Sequence, residues 1–397
     1  MYIAKAQNFA LYLFFFSLNF EAWDPFDTNG LLSLAKLAGF IYLITLIPDF
    51  KLFLRLNNIS NLLIPLALFF FLLTIVGAYN VNTVSSSFFN SGILFNIFFF
   101  WLLINHERKE YMVLEKGMLF FALGSIITTV LFIADIGVVY EQGRLNMFNE
   151  NQNYIGIRIC TSVIVLLTMI FQNNLKLGQI RYILLLPIPF MLFLMAETGS
   201  RVAFMAFILA FMLGVVLFKT NGVLKKTMLI ASGIVILAVA FVLLLQTDVL
   251  RNRLLQSTEG ADLAGRDVIW QSIIPLIVEN PIFGVGETGY DYFAQVTFGK
   301  LWGAHNVFLE VLSDTGIIGL LIYLYFLFQI FKYAYSSYKT KKWILPVLLL
   351  IPIFGMLLSS QILTKKIGWI IFAYIVSSSS IKYFRQKLIN SYSKNDK

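Results

Sequence analysis

Three polar stretches stand out along a largely apolar chain, and each carries residue types that could do chemistry. The first is Gly143-Arg144-Leu145-Asn146-Met147-Phe148-Asn149-Glu150-Asn151-Gln152-Asn153, and the second is Glu197-Thr198-Gly199-Ser200-Arg201. The third is a long segment with Gly265-Arg266-Asp267 near its middle and Gly303-Ala304-His305-Asn306 at its end. Arginine offers a planar fork of donors that stays charged and matches phosphate oxygens. Arg144, Arg201 and Arg266 at a bilayer surface would suit a lipid-borne pyrophosphate. Histidine has an ordinary pKa of about 6.5, so neutral His305 could take a proton near neutral pH. Just beyond it Asn306, Glu310 and Asp314 are spaced to line one helical face. Carboxylates at that depth belong in the protein interior or a watery cavity rather than in lipid.

Each residue also has a plainer reading. Arg144 could snorkel to headgroups, Arg201 could cap a helix or pair with Glu197, and Arg266 could pair with Asp267 or face water. His305 could simply begin a helix, and the Asn-rich run could be only a turn. The other histidine, His106, stands beside Glu107 and Arg108 in a loop and reads as solvated. Asp135 and Arg158 read as an intramembrane pair. No phosphate loop GxxxxGK[ST], HExxH, CxxC or Asp-x-Asp occurs. The expectation is chemistry without a metal or other cofactor.

The elements that position these residues follow from the composition. Of 397 residues, 59% are hydrophobic, 13% are charged and 40 are Phe. A soluble domain carries roughly a quarter charged residues. Lipid is the solvent that accepts such a surface, and it forces the backbone into helices or a closed barrel. The apolar runs are continuous rather than alternating, so helices are expected. Twelve spans are expected, near 5–22, 31–48, 61–79, 88–105, 117–139, 154–171, 182–197, 201–218, 227–246, 305–331, 343–361 and 367–381. No small-residue cleavage site follows the first, which reads as a retained helix. The fold class is therefore all-α and polytopic, with one large ordered outer-face loop.

With the N-terminus placed inside, the inner segments hold twenty of the thirty basic residues and the outer segments eight. Both termini are expected in the cytoplasm. The +9 net charge is a topology signal, with no basic soluble domain for nucleic acid. Three regions follow: 1–246 with nine spans, 247–304 as the large loop, and 305–397 with three spans and a basic tail. Within the loop, Val268-Ile269-Trp270, Ile273-Ile274 and Ile277-Val278 recur at helical spacing until Asn280-Pro281 ends the helix. Gly284, Gly286 and Gly289 then predict an irregular turn back to span ten.

Several of these residues resemble a known signature. Gly265-Arg266, Trp270, Asn280-Pro281-Ile282-Phe283-Gly284-Val285-Gly286, Ala304-His305-Asn306-Val307-Phe308-Leu309 and Gly316-Ile317-Ile318-Gly319 are similar to the O-antigen polymerase and O-antigen ligase superfamily. Thr198-Gly199-Ser200-Arg201 resembles its Ser-Arg motif. Gly143-Arg144 through Phe148 to Asn153 resembles its Arg, Phe, Asn-Pro-Asn stretch, with Glu150 to Gln152 departing from that pattern. The resemblance implies a C-type glycosyltransferase architecture in the bacterial inner membrane. It implies metal-independent, inverting transfer of glycan from undecaprenyl pyrophosphate for a surface polysaccharide such as lipopolysaccharide. Carried onto this chain, Arg201 and Arg266 would hold the pyrophosphate and His305 would activate the acceptor hydroxyl. Arg144, Asn153, Trp270, Asn306 and Glu310 would contact substrate. The partners implied are the lipid-linked glycan, an acceptor glycan or lipid A-core, the bilayer and a chain-length regulator. A polymerase is favoured over a ligase because polymerases are the more numerous. A lipid-linked-sugar flippase or secondary transporter is the alternative class, although no inverted repeat supports it.

Overall fold

The computed structural model describes residues 2–28, 31–56, 59–79, 91–141, 143–218, 266–360 and 362–379, with single positions 227, 238, 242 and 251. The expected span at 227–246, the loop from 247 to 265 and the tail beyond 379 therefore lie almost wholly outside the described residues.

Helices stand at every other expected span. They are α1 (Tyr2–Ser17), α2 (Leu34–Leu46), α3 (Ser60–Tyr79), α4 (Ser91–Lys109), α5 (Val113–Ile133) and α6 (Gln152–Gln172). A 3-10 stretch (Gly178–Leu185) leads into α7 (Ile188–Glu197), and α8 (Arg201–Leu217) follows. After the undescribed segment come α9 (Arg266–Glu279), α10 (Gly286–Phe298), α11 (Val307–Lys341), α12 (Leu345–Ser359) and α13 (Lys366–Ser379). Among the described residues, five helices are long and apolar enough to cross a membrane: α3, α5, α6, α7 with its 3-10 lead, and α11. The protein is a mostly helical, multi-pass membrane protein.

α6 is the central helix. In its apolar window 89% of residues are buried, against 33–44% in the other four. A helix that is apolar all round and buried all round has no lipid face. It packs against α5, α7 and α8, while α1 packs on α2 and α5. A polar seam ties the 3-10 turn that follows α1 (Leu18–Phe20) to α5 and α6. Asn19 Nδ2 donates to the Phe121 carbonyl at 2.8 Å, Ser125 Oγ donates to Asn19 Oδ1 at 2.5 Å, and Ser125 and Ser162 hydroxyls meet at 2.6 Å. In lipid such bonds hold helices that the hydrophobic effect cannot.

The structure departs from the sequence expectations in several places. The fold is not wholly helical: β1 (Val138–Glu141) pairs antiparallel with β2 (Arg144–Met147). The hairpin replaces the turn expected at the start of the Asn-rich run. Gly289, expected in the return turn, lies inside α10, whose burial of Tyr290 and Ala294 makes it a helix. α11 is longer than the expected span ten and is broken at Gly316, where φ is 61° and ψ −163°. His106 is buried rather than solvated, with Tyr42 Oη 2.9 Å from Nδ1 and Asn8 Oδ1 3.0 Å from Nε2. Burial, with Lys109 adding, pushes its imidazole down to about 3. Arg158 does not pair with Asp135, which is exposed. Its Nη1 is 2.7 Å from Glu150 and its Nη2 2.8 Å from Glu21. Those carboxylates come from outside α6, so no spacing rule could have matched them to it.

Candidate functional site

The hairpin and the turn between α7 and α8 bring the first two polar stretches together. Arg144, the first residue of β2, donates from Nε to the Thr198 carbonyl at 3.1 Å and from Nη2 to Asn153 Oδ1 at 3.0 Å. Asn151 caps α6, its side chain accepting from the Asn153 amide. Ser200 caps α8, accepting from the Ala203 amide, which leaves Arg201 at the first helical position. A Cβ at Gly156 of α6 would come within 2.9 Å of Ser200, so this glycine lets the turn seat against the central helix.

The third stretch joins the same place through α12. Val202, next to Arg201, packs against Gly355, where a Cβ would lie 2.8 Å from its methyl group. One helical turn further on, the Ser359 carbonyl accepts from Arg266 Nη2 at 3.1 Å. The segments bearing Arg144, Arg201 and Arg266 thus meet at the C-terminal end of α12. Arg266 also acts on His305. Burial is the larger cause and the Arg266 cation the second, and together they hold the imidazole below its ordinary value. The neutral, proton-accepting form is therefore favoured at neutral pH.

α9 and α10 hold His305 in place. Trp270 Nε1 donates to the Ala304 carbonyl at 3.0 Å, and Tyr290 Oη donates to the Trp302 carbonyl at 2.8 Å. Ile269, Ile273, Tyr290, Ala294 and Ala304 form a small core beneath them. His305 itself has φ 50°, a left-handed conformation uncommon outside glycine. Asn306 then caps α11, accepting from the Phe308 and Leu309 amides. Trp270 and Asn306, expected to touch substrate, thus have structural bonds that shape the His305 turn.

Glu310 and Asp314 sit in the first piece of α11, before the break, as the spacing predicted. Glu310 Oε2 is buried with no hydrogen-bond partner among the described residues. Asp314, Glu310 and Asp291 all lie close enough to Tyr290 to raise its phenol pKa, after the larger effect of burial.

The glycine motif is architectural. Val285 donates its amide to the Ser313 carbonyl at 2.8 Å, and the Ile317 amide donates to the Pro281 carbonyl at 2.9 Å. The segment 281–285 therefore inserts into the break of α11. A Cβ at Gly284 would lie 2.4 Å from the Ser313 carbonyl oxygen, and one at Gly316 2.2 Å from that of Ile282. Only glycine permits this mutual approach. Gly286 abuts Gly77 of α3 in the same way, and Thr288 Oγ1 donates to the Gly77 carbonyl at 3.0 Å.

Residues 186–324 match the family described as O-antigen ligase. The match covers about a third of the chain and supports the resemblance to the O-antigen polymerase and ligase superfamily. No curated protein matches it. The superfamily match takes in Arg201, Arg266, Trp270, the glycine segment and His305, whereas Arg144 and Asn153 lie before it. The matched segment thus supplies two of the three arginines, and the hairpin adds the third by tertiary contact. Sequence reasoning missed Thr198 as the acceptor that anchors Arg144 and Ser359 as the acceptor that anchors Arg266. Both act through backbone carbonyls, which carry no residue-type signal.

Proposed function

We propose that this protein is a member of the O-antigen polymerase and ligase superfamily that transfers glycan from an undecaprenyl-pyrophosphate donor to an acceptor sugar hydroxyl at the outer face of the cytoplasmic membrane. It acts as a repeat-unit polymerase for O-antigen or a related surface polysaccharide. The observation that carries this reading is the meeting of the three arginine segments beside a histidine whose neutral form is favoured. In the reaction the acceptor oxygen attacks the anomeric carbon and the bond to pyrophosphate breaks, with inversion. Arg201 and Arg266 stabilise the charge that develops on the departing pyrophosphate. His305 takes the hydroxyl proton. No metal is assigned a role. Both termini are cytoplasmic in this reading, and reporters fused after Lys226 or Lys342 should report that side.

The test is turnover by purified protein given lipid-linked repeat units. Extension of the chain in detergent supports the enzyme, whereas a transporter requires two compartments and shows none. The family description favours a second reading, ligation of finished chains to lipid A-core or another acceptor. A strain lacking the protein separates the two. Surface glycan reduced to single repeats marks a polymerase, and long chains left on the carrier lipid mark a ligase.

A further inference from the structure

Next to the arginine segments lies a charged network in which cations outnumber carboxylates. Arg158, only 2% exposed, pairs with Glu21 at 2.8 Å and Glu150 at 2.7 Å. Lys366 pairs with Glu21 at 2.8 Å. Lys365 completes the group, its Nζ 3.4 Å from Glu150 and 4.4 Å above the Tyr154 ring. Three cations thus share two carboxylates. Arg158 and Lys366 take the short contacts, and Lys365 has the long one. Its side chain is 26% exposed, while that of Glu150 is 5% exposed. A positive charge in excess within a half-buried network is costly unless an anion joins it.

The position of Lys365 points to which anion. Tyr154, under its ammonium, follows Asn153, which accepts from Arg144 at 3.0 Å. On its other side Lys365 belongs to the turn between α12 and α13, which begins at Ser359, the acceptor of Arg266. That turn is pinned from both sides at one carbonyl. Asn96 Nδ2 and Trp369 Nε1 donate to Leu363 O at 3.1 and 2.8 Å. Lys365 is thereby linked to the Arg144 segment through Tyr154 and to the Arg266 acceptor through the chain that follows Ser359.

We propose that Lys365 is a further anion-binding residue of this site, contacting the phosphate oxygens of the donor's pyrophosphate together with the arginines. The proposal rests on the glycan-transfer reading above. An ammonium has three donors and no acceptor. One long contact to Glu150 and an aromatic face beneath leave donor capacity on a side chain that is 26% exposed. A carboxylate on an acidic sugar of the glycan offers the same oxygen chemistry, and the test separates the two sources.

The experiment is equilibrium dialysis of labelled inorganic pyrophosphate against the purified full chain, with glucuronate in a parallel arm. The proteins compared are wild type, Lys365→Gln, Lys365→Arg and Lys332→Gln, the last an exposed lysine near the far end of α11. Lys365→Gln should weaken pyrophosphate binding roughly tenfold, the loss of one charge-assisted bond. Lys365→Arg and Lys332→Gln should stay within about twofold of wild type, with unchanged melting temperatures. If wild type binds pyrophosphate and Lys365→Gln binds it equally, the lysine subsite is overturned while the donor reading stands. If wild type binds no pyrophosphate, the donor reading falls and takes the subsite with it. Lysine-dependent binding of glucuronate alone would overturn the pyrophosphate assignment. Equal losses in Lys365→Gln and Lys365→Arg with a lowered melting temperature would show that Lys365 serves the packing of the fold rather than the anion, and would overturn the subsite.

Discussion

The indole nitrogen of Trp270 donates to the carbonyl of Ala304 at 3.0 Å, fixing α9 to the residue that precedes His305. This bond, together with the left-handed φ of His305, determines where the imidazole stands. Trp270→Phe keeps most of the ring packing and removes the donor. Folding should survive, and, with His305 as the proposed proton acceptor, kcat should fall roughly tenfold because a small misplacement of such a group is expensive. Glycan-transfer kinetics on a protein with unchanged melting temperature would check this. Wild-type kcat would show that the turn is held without the bond.

The two histidines should fail in different ways. His305→Ala should lower turnover by roughly 10²–10⁴-fold with little change in stability, because it removes a proton acceptor from a turn. His106→Ala should cost about 2 kcal/mol of stability, since it empties a buried site between Tyr42 and Asn8. Thermal scanning and polymer assays on both variants would expose a reversal of the pattern.

The pH profile follows from the depressed His305 value. A group whose charged form is disfavoured by burial and by Arg266 stays neutral at lower pH than an ordinary imidazole. The acid limb of kcat/KM should therefore lie below about 6.5. Arg266→Gln removes the cation, so its residual activity should show the acid limb moved toward higher pH. An unmoved limb would mean that another group takes the proton.

Lysine should not replace the arginines. Arg201→Lys and Arg266→Lys keep the charge and lose the planar fork, so kcat/KM should drop roughly tenfold or more. Arg251→Lys and Arg253→Lys should be mild; Arg253 lies outside the described residues. Equal tolerance at all four would remove the case for a phosphate clamp.

Gly284→Ala and Gly316→Ala should each destabilise the protein by about 2 kcal/mol or more, because both need positive φ and meet backbone within van der Waals range. Melting temperatures in one detergent would measure it. Gly143→Ala is the comparison, since it has positive φ but open space around it, and its cost should be smaller.

Much of the architecture was legible along the chain. Continuous apolar runs must become helices in lipid, so the helices between 5 and 218 and between 305 and 379 could be placed before any contact was known, whereas the hairpin could not. α9 ends at Glu279, just before Asn280-Pro281, although it accommodates Pro275 in its interior. Arg201, Arg266 and His305 could be singled out because charged groups at a membrane surface are few. Tertiary structure alone decided what these residues touch. Arg158 found Glu21 and Glu150 instead of Asp135, His106 went inward to Tyr42 and Asn8, and Gly316 broke α11 to admit 281–285. Helical periodicity relates residues a few positions apart on one element. These partners lie on different elements, and many of the bonds end on backbone carbonyls that look alike at every position of the sequence.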